Sequence, residues 1–259
     1  MDAIGRAFRA LFPPLLLFAA VVAVWHIEVQ RRGIGAFLVP GPLLVAETLW
    51  EKREALLKAT ALTGAAALAG FAASLVTGVL VALLFSQSRA VRRAGYPYAI
   101  FLQTVPIVAV APLIVLWFGA EFQSVVIISF IISLFPIVTN ATEGLMNVDE
   151  SLVELFELHS ATRAQVLLRL RLPHAVPDIV TGARVSSGLS VIGAIVGEFS
   201  AGYGNQNFGL GYLIVQTSGL LQTPYLFAAV FMSTLLGLTI FGIVGSAGDW
   251  STRRWRGTR

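Results

Sequence analysis

The chain has 259 residues, 56% of them hydrophobic and only 12% charged, with no cysteine; a soluble domain carries about a quarter charged residues, so the composition suits lipid as solvent and excludes disulfides and thiolate metal sites. The net charge of +4 and the pI near 9.8 do not point to nucleic acid, because the basic residues are scattered between apolar runs rather than gathered on one face among stacking aromatics. The apolar residues fall in long runs with charge in the gaps, which predicts one membrane domain over 1–259 rather than two soluble ones.

At the N-terminus Arg6 and Arg9 precede the apolar run 11–29. No small-residue cleavage site closes that run, and Trp25, His26 and Glu28 occupy its end, so it reads as a retained first span rather than a signal peptide. A helix needs about 20 mainly apolar residues to cross a bilayer, and six segments meet that length: 11–29, 63–85, 97–118, 124–143, 184–202 and 224–246. The predicted fold class is an all-α membrane protein with six transmembrane helices.

Between the first two spans, the turn Val39-Pro40-Gly41-Pro42 leads into a stretch with Glu47, Glu51, Lys52, Arg53, Glu54 and Lys58. This amphipathic stretch is predicted to lie along the membrane surface. Pro106, Pro112 and Pro136 fall within spans, where proline kinks a helix and frees carbonyls that neighbours must satisfy. Such kinks serve a pathway or plain packing equally well.

Glu198 in the fifth span is the leading candidate for the translocation pathway, since an ionisable group at membrane depth is a functional hypothesis. A structural pairing near the external end of the span is the competing reading. Gln103 and Thr104 before the first kink, Asn140 in the fourth span, and Tyr203 and Asn205 after Glu198 are further candidates. Polar groups also tie helices together without touching substrate. The Gly193–Gly197 spacing favours close helix packing.

Orientation follows from the side on which Lys and Arg fall. With alternating spans and both termini inside, Arg31, Arg32, Lys52, Arg53 and Lys58 lie outside and the other thirteen of the 18 basic residues lie inside. Both termini are therefore expected in the cytoplasm, along with the long polar stretch 147–182.

That stretch is too charged for a span and too apolar for a solvated loop. Leu152, Leu155, Phe156 and His159 follow helical spacing. After a break near Ser160, Thr162 with Gln165 three residues on fits a capping box that opens a second helix. Val166, Leu167 and Leu170 give that helix an apolar stripe, Arg163, Arg169 and Arg171 supply cations suited to its C-terminal end, and Leu172-Pro173 is expected to stop it. From geometry alone, two such helices either pack beneath the membrane bundle or meet a partner.

The segment resembles the EAA loop of ABC importer permeases: Glu154 fits the acidic position, and Leu170, Leu172 and Pro173 fit the end with the correct count. Leu155 and Phe156 replace the motif's alanines, and Ser160 its glycine. The resemblance extends over nearly the whole chain and is closest to the nitrate, sulfonate and taurine branch of type I permeases. It is carried by Val39-Pro40-Gly41-Pro42, by Pro106 to Pro112 with Leu116-Trp117-Phe118-Gly119, by Pro173 to Arg184, and by Gly197-Glu198-Phe199 with Gly209-Leu210-Gly211-Tyr212.

The resemblance implies a type I importer permease fold and a coupling helix seated on a separate ATPase. It implies coupling residues at Glu154, Glu157, Ser160, Ala161, Thr162, Arg163, Gln165, Val166, Leu167, Leu170, Leu172 and Pro173. It further implies two ATPase copies carrying ATP and Mg, a second permease copy, a periplasmic or lipid-anchored binding protein, and residence in a bacterial inner membrane. The implied cargo is a small anion such as nitrate, a sulfonate or taurine, or a vitamin precursor such as a thiamine pyrimidine or riboflavin.

The chain is not expected to hydrolyse ATP. A phosphate-binding loop needs Gly-Lys followed by Ser or Thr, and the only lysines, Lys52 and Lys58, follow Glu51 and Leu57. His26, His159 and His174 have no zinc-site spacing. An ion-coupled carrier is the alternative function; inverted repeats and several buried ionisable groups, its expected marks, are not evident in the sequence.

Overall fold

The computed structural model describes residues 2–33, 35–201 and 209–255. Every regular element among them is helical. Among the described residues five helices are long and apolar enough to cross a bilayer, and a bent helix pair makes a sixth if it is one span.

By contact the chain groups into two compact units. The first comprises 1–57 and 213–232. It holds α1 (Asp2–Arg32), where Glu28 and Arg32 pair across one turn at 2.6 Å, and α2 (Pro42–Glu51). Proline at the first helical position of α2 is pre-set for a helix and lacks only a donor that would have been unpaired anyway. Leu43 and Trp50 of α2 are exposed, and the Arg53 guanidinium lies 4.7 Å from the Trp50 ring centre. Such a pairing suits the boundary between apolar and wet surroundings. The stretch expected along the membrane surface is divided between α2 and α3 (Arg53–Gln87), which starts at Arg53 and takes in Glu54 and Lys58. Charged residues propagate a helix well outside lipid, so hydropathy marks the span and not the helix.

The second unit comprises 58–212 and 233–259. The expected third span is two helices, α4 (Arg89–Thr104) and α5 (Ile107–Phe118), bent by 98°. Pro106 cannot donate, and it holds the preceding Val105 extended at φ −69°, ψ 121°. Pro112 and Pro136 stay inside α5 and α6 (Phe122–Met146).

The core of this unit is the packing of α6 on α9 (Leu172–Ala201) and on α3. Small residues bring the backbones together: a methyl group added at Gly193 would lie 2.6 Å from Ser129 Cα, and one at Gly197 would lie 3.0 Å from Val125 Cα. The spacing read from the sequence as a packing device is one. Serine hydroxyls bridge the contact, with Ser129 donating to Ser190 O at 2.8 Å, Ser186 donating to Ser133 O at 2.6 Å, and the Ser74 and Ser133 hydroxyls meeting at 2.9 Å. In lipid, where apolar burial gives little preference for protein over solvent, close packing and such bonds carry the association. α10 (Leu210–Gly219) and α11 (Thr223–Trp255) complete the chain. Arg184 of α9 pairs with Asp249 of α11 and donates to Gly245 O at 2.9 Å.

Candidate functional site: the coupling segment and a buried carboxylate

The stretch after α6 folds as α7 (Glu150–Leu158), a turn, and α8 (Arg163–Val166). Asp149 caps α7 by accepting from the Ser151 amide at 3.0 Å and its hydroxyl at 2.8 Å, and these bonds hold the Asp149 carboxyl below its ordinary range. At the other end Ala161 N donates to Phe156 O at 3.0 Å and Ser160 N to Glu157 O at 2.8 Å. This is the paired-bond ending in which the residue after the cap turns left-handed, and Ser160 does so at φ 54°. Serine therefore builds the same turn that a glycine would, at a cost of about 1 kcal/mol.

The capping box expected at Thr162 is formed. Gln165 N donates to Thr162 Oγ1 at 3.3 Å, and Thr162 N donates to Gln165 Oε1 at 2.8 Å. Beyond it the structure corrects the sequence reading. Leu172-Pro173 does not stop the second helix, because α8 runs through a π-helical turn, Leu167–Arg171, directly into α9. Proline at 173 removes one donor and would press its ring on the Arg169 carbonyl of a regular helix. The wider turn, with Leu172 N donating to Leu167 O, relieves that conflict without a break.

The expected coupling residues divide by exposure. Glu154, Glu157, Ser160, Thr162, Arg163 and Gln165 are exposed, while Ala161, Val166, Leu167, Leu170, Leu172 and Pro173 are half-buried. Leu167 and Leu172 pack inward on Ala82, Ala141, Leu145 and Ala175. The outward apolar face belongs instead to α7: Leu152 is 42%, Leu155 48% and Leu158 82% exposed; Leu168 on the π-helical turn is also exposed. Sequence reasoning placed the stripe on the second helix and passed over Leu158, although the spacing 152, 155, 158 carries the signal. A cleft of about 220 Å³ behind this face is lined by Ser86, Gln87, Val153, Glu157, Arg163 and Arg171, and Arg171 reaches Ser86 O at 3.4 Å.

Glu198 is buried, and its partners define what it does in this fold. Thr63 donates to Glu198 Oε1 at 2.8 Å, and Gly211 N donates to Oε2 at 2.7 Å. Thr63 Oγ1 in turn accepts from Leu210 N at 2.8 Å. The carboxylate and the hydroxyl thus satisfy two amides that open α10, where negative charge is favoured. A methyl group at Gly209 would overlap the carboxylate, and one at Gly211 would come within 2.6 Å of Ile195 O. The Gly209-Leu210-Gly211 sequence is what lets the chain approach.

Among the described residues, Gln103, Thr104 and Asn140 share no hydrogen bond with Glu198 or with one another. Asn140 donates to Pro136 O at 2.8 Å within its own helix. Gln103 and Thr104 are exposed at the end of α4, beside the 98° bend, with Thr104 donating to Phe101 O at 2.8 Å. Tyr203 and Asn205 lie outside the described residues. Among the described residues no group of His, Asp and Glu side chains is placed to hold a metal ion.

Residues 74–257 match the family described as "Binding-protein-dependent transport system inner membrane component". The formylaminopyrimidine transport permease protein ThiX of Halalkalibacterium halodurans is 35% identical, over 92% of this chain and 94% of its own. The riboflavin transport system permease protein RibX of Chloroflexus aurantiacus is also 35% identical, over 91% of this chain and 87% of its own. The putative aliphatic sulfonates transport permease protein SsuC of Bacillus subtilis is 29% identical, over 95% and 85%. A solved structure of the MetNI methionine ABC transporter, in an inward-facing conformation, superposes with a TM-score of 0.57 at 19% identity, covering 85% of this chain and 99% of that one. With its helices, its membrane-length spans and these relatives taken together, the chain belongs to the binding-protein-dependent transport family, as the non-catalytic, multi-pass permease subunit of a type I ABC importer.

Proposed function

We propose that this permease forms the substrate pathway of a bacterial inner-membrane importer and takes its drive from a separate ATPase docked on α7. The exposed face of Leu152, Leu155 and Leu158 carries this reading. A short amphipathic helix with apolar anchors and a charged rim of Glu154 and Glu157 suits a groove on a partner. Two permease copies with twofold symmetry would present two such helices to two ATPases, which carry the ATP and Mg. Both termini and the 147–182 segment face the cytoplasm in this reading, in keeping with the charge bias. A binding protein delivers cargo on the opposite side.

For cargo we favour a nitrogen heterocycle of vitamin-precursor type over a sulfonate. The support is that the relatives named for formylaminopyrimidine and riboflavin stand at 35% identity, against 29% for the sulfonate permease. Vesicles holding the permease with its ATPase and binding protein should take up a labelled pyrimidine or flavin in an ATP-dependent manner, with alkanesulfonate uptake at background. Sulfonate uptake without heterocycle uptake would overturn this preference.

A further inference from the structure

A second feature lies at the same end of the second unit as the coupling segment. The first turns of α4 and the last turn of α6 flank an open cavity of about 380 Å³. Arg92 and Arg93 line it from α4, with Tyr96 one turn on, and Glu143, Met146 and Asn147 line it from α6 and its cap. The ion pairs among the described residues are Arg32–Glu28 and Arg184–Asp249, so the two arginines and Glu143 face the cavity without bridging it.

The helix ends reinforce this charge separation. α4 opens at Arg89, so its arginines sit near the positive end of the helix dipole, and α6 closes at Met146, so Glu143 sits at the negative end. One wall therefore suits an anion and the facing wall a cation. Two guanidinium groups match a phosphate, to which they can donate several charge-assisted bonds. A carboxylate beside the end of a helix matches an ammonium with N–H donors. The rest of the lining is mainly apolar, with Met146 and the ring of Tyr96 available to cover hydrocarbon, and Tyr96 is itself held edge-on to Phe85 at 6.3 Å.

We propose that this cavity binds a zwitterionic phospholipid headgroup of the phosphoethanolamine type, with phosphate on Arg92 and Arg93 and ammonium on Glu143. The apolar lining is the reason to assign a lipid rather than a free zwitterion, because it receives the glycerol and the first methylenes. Bound lipid would tie α4 to the end of α6, three residues before the Asp149 cap of α7. The bilayer would then help to fix the coupling segment. This inference rests on the chain's being a membrane permease whose coupling end lies at the bilayer surface, but its readout does not depend on the ATPase.

The test is lipid binding by the delipidated full chain in detergent, read by native mass spectrometry. Phosphatidylethanolamine, phosphatidylglycerol and phosphatidylcholine of the same acyl chains are compared with free phosphoethanolamine. Phosphatidylethanolamine should bind roughly tenfold more tightly than the other two lipids. The double variant Arg92→Gln/Arg93→Gln should lose that affinity by about tenfold, and Glu143→Gln should erase the preference over phosphatidylglycerol while leaving lipid bound. Arg89→Gln, on the same helix but outside the cavity, should change neither.

Equal binding of the three lipids, or unaltered phosphatidylethanolamine binding by the double variant, would overturn the proposal. Free phosphoethanolamine bound as tightly as the lipid would overturn the lipid assignment and leave a solute site. A permease that retains its ATPase yet shows no lipid preference defeats this inference alone. A wild-type permease that shows the preference but never captures an ATPase defeats only the coupling proposal.

Discussion

Glu198 carries two readings from the sequence, a pathway group and a structural pairing, and the structure supplies partners for the second. An acid in a predicted span invites a role in the pathway, whereas its carboxylate accepts from Thr63 and from the Gly211 amide and so anchors the start of α10. Replacing it by alanine leaves the Gly211 amide without a partner in a buried place, a loss of about 1–3 kcal/mol. Glu198→Ala should lower the melting temperature of the detergent-solubilised protein clearly, and Glu198→Gln, which keeps an acceptor oxygen, should lower it less. Equal melting of both variants and wild type would show that the carboxylate holds nothing. The acid was visible in the sequence, but the hydroxyl that meets it lies 135 positions away. Ser160 is the opposite case: the motif spacing marked it as the turn residue, and the left-handed turn is there.

At the scale of elements, helices were legible wherever apolar runs or caps marked them, and the capping box at Thr162 and the close spacing at Gly193 and Gly197 are both realised. Three features were not. The 98° bend occurs at one proline while two others stay within helices, and nothing local to Pro112 or Pro136 distinguishes them beforehand from Pro106. The π-helical turn before Pro173 is a compromise between a helix that tertiary contacts continue and a residue that resists it. The apolar stripe of the coupling segment divided between α7, facing out, and α8 with its π turn, facing in, because only tertiary packing decides which leucines Ala82 and Ala141 cover. The contact of α6 with α9 is the firmest expectation at this scale. Gly193→Ala would press a methyl group on Ser129 Cα, and such overpacking costs about 1–3 kcal/mol. Its melting temperature should fall, whereas Gly237→Ala, where the added group meets nothing within 4 Å, should melt as wild type does.

For the whole molecule, the family and the fold are secured by relatives that match nearly end to end, and the proposal concerns which side the coupling segment faces and what it meets. The chain contains no cysteine, so Leu158→Cys supplies a single, well-exposed thiol on α7. In intact cells it should resist a membrane-impermeant maleimide and react after the cytoplasm is opened; labelling from outside would reverse the topology. The coupling claim is tested most directly by affinity purification of the permease co-expressed with its ATPase. Leu155→Asp/Leu158→Asp, changing only outward-facing residues, should leave the permease inserted with an unaltered melting temperature while the ATPase is lost from the eluate. An ATPase recovered in the wild-type ratio, with ATP-dependent uptake intact, would contradict the assignment of α7 as the helix that receives its motion.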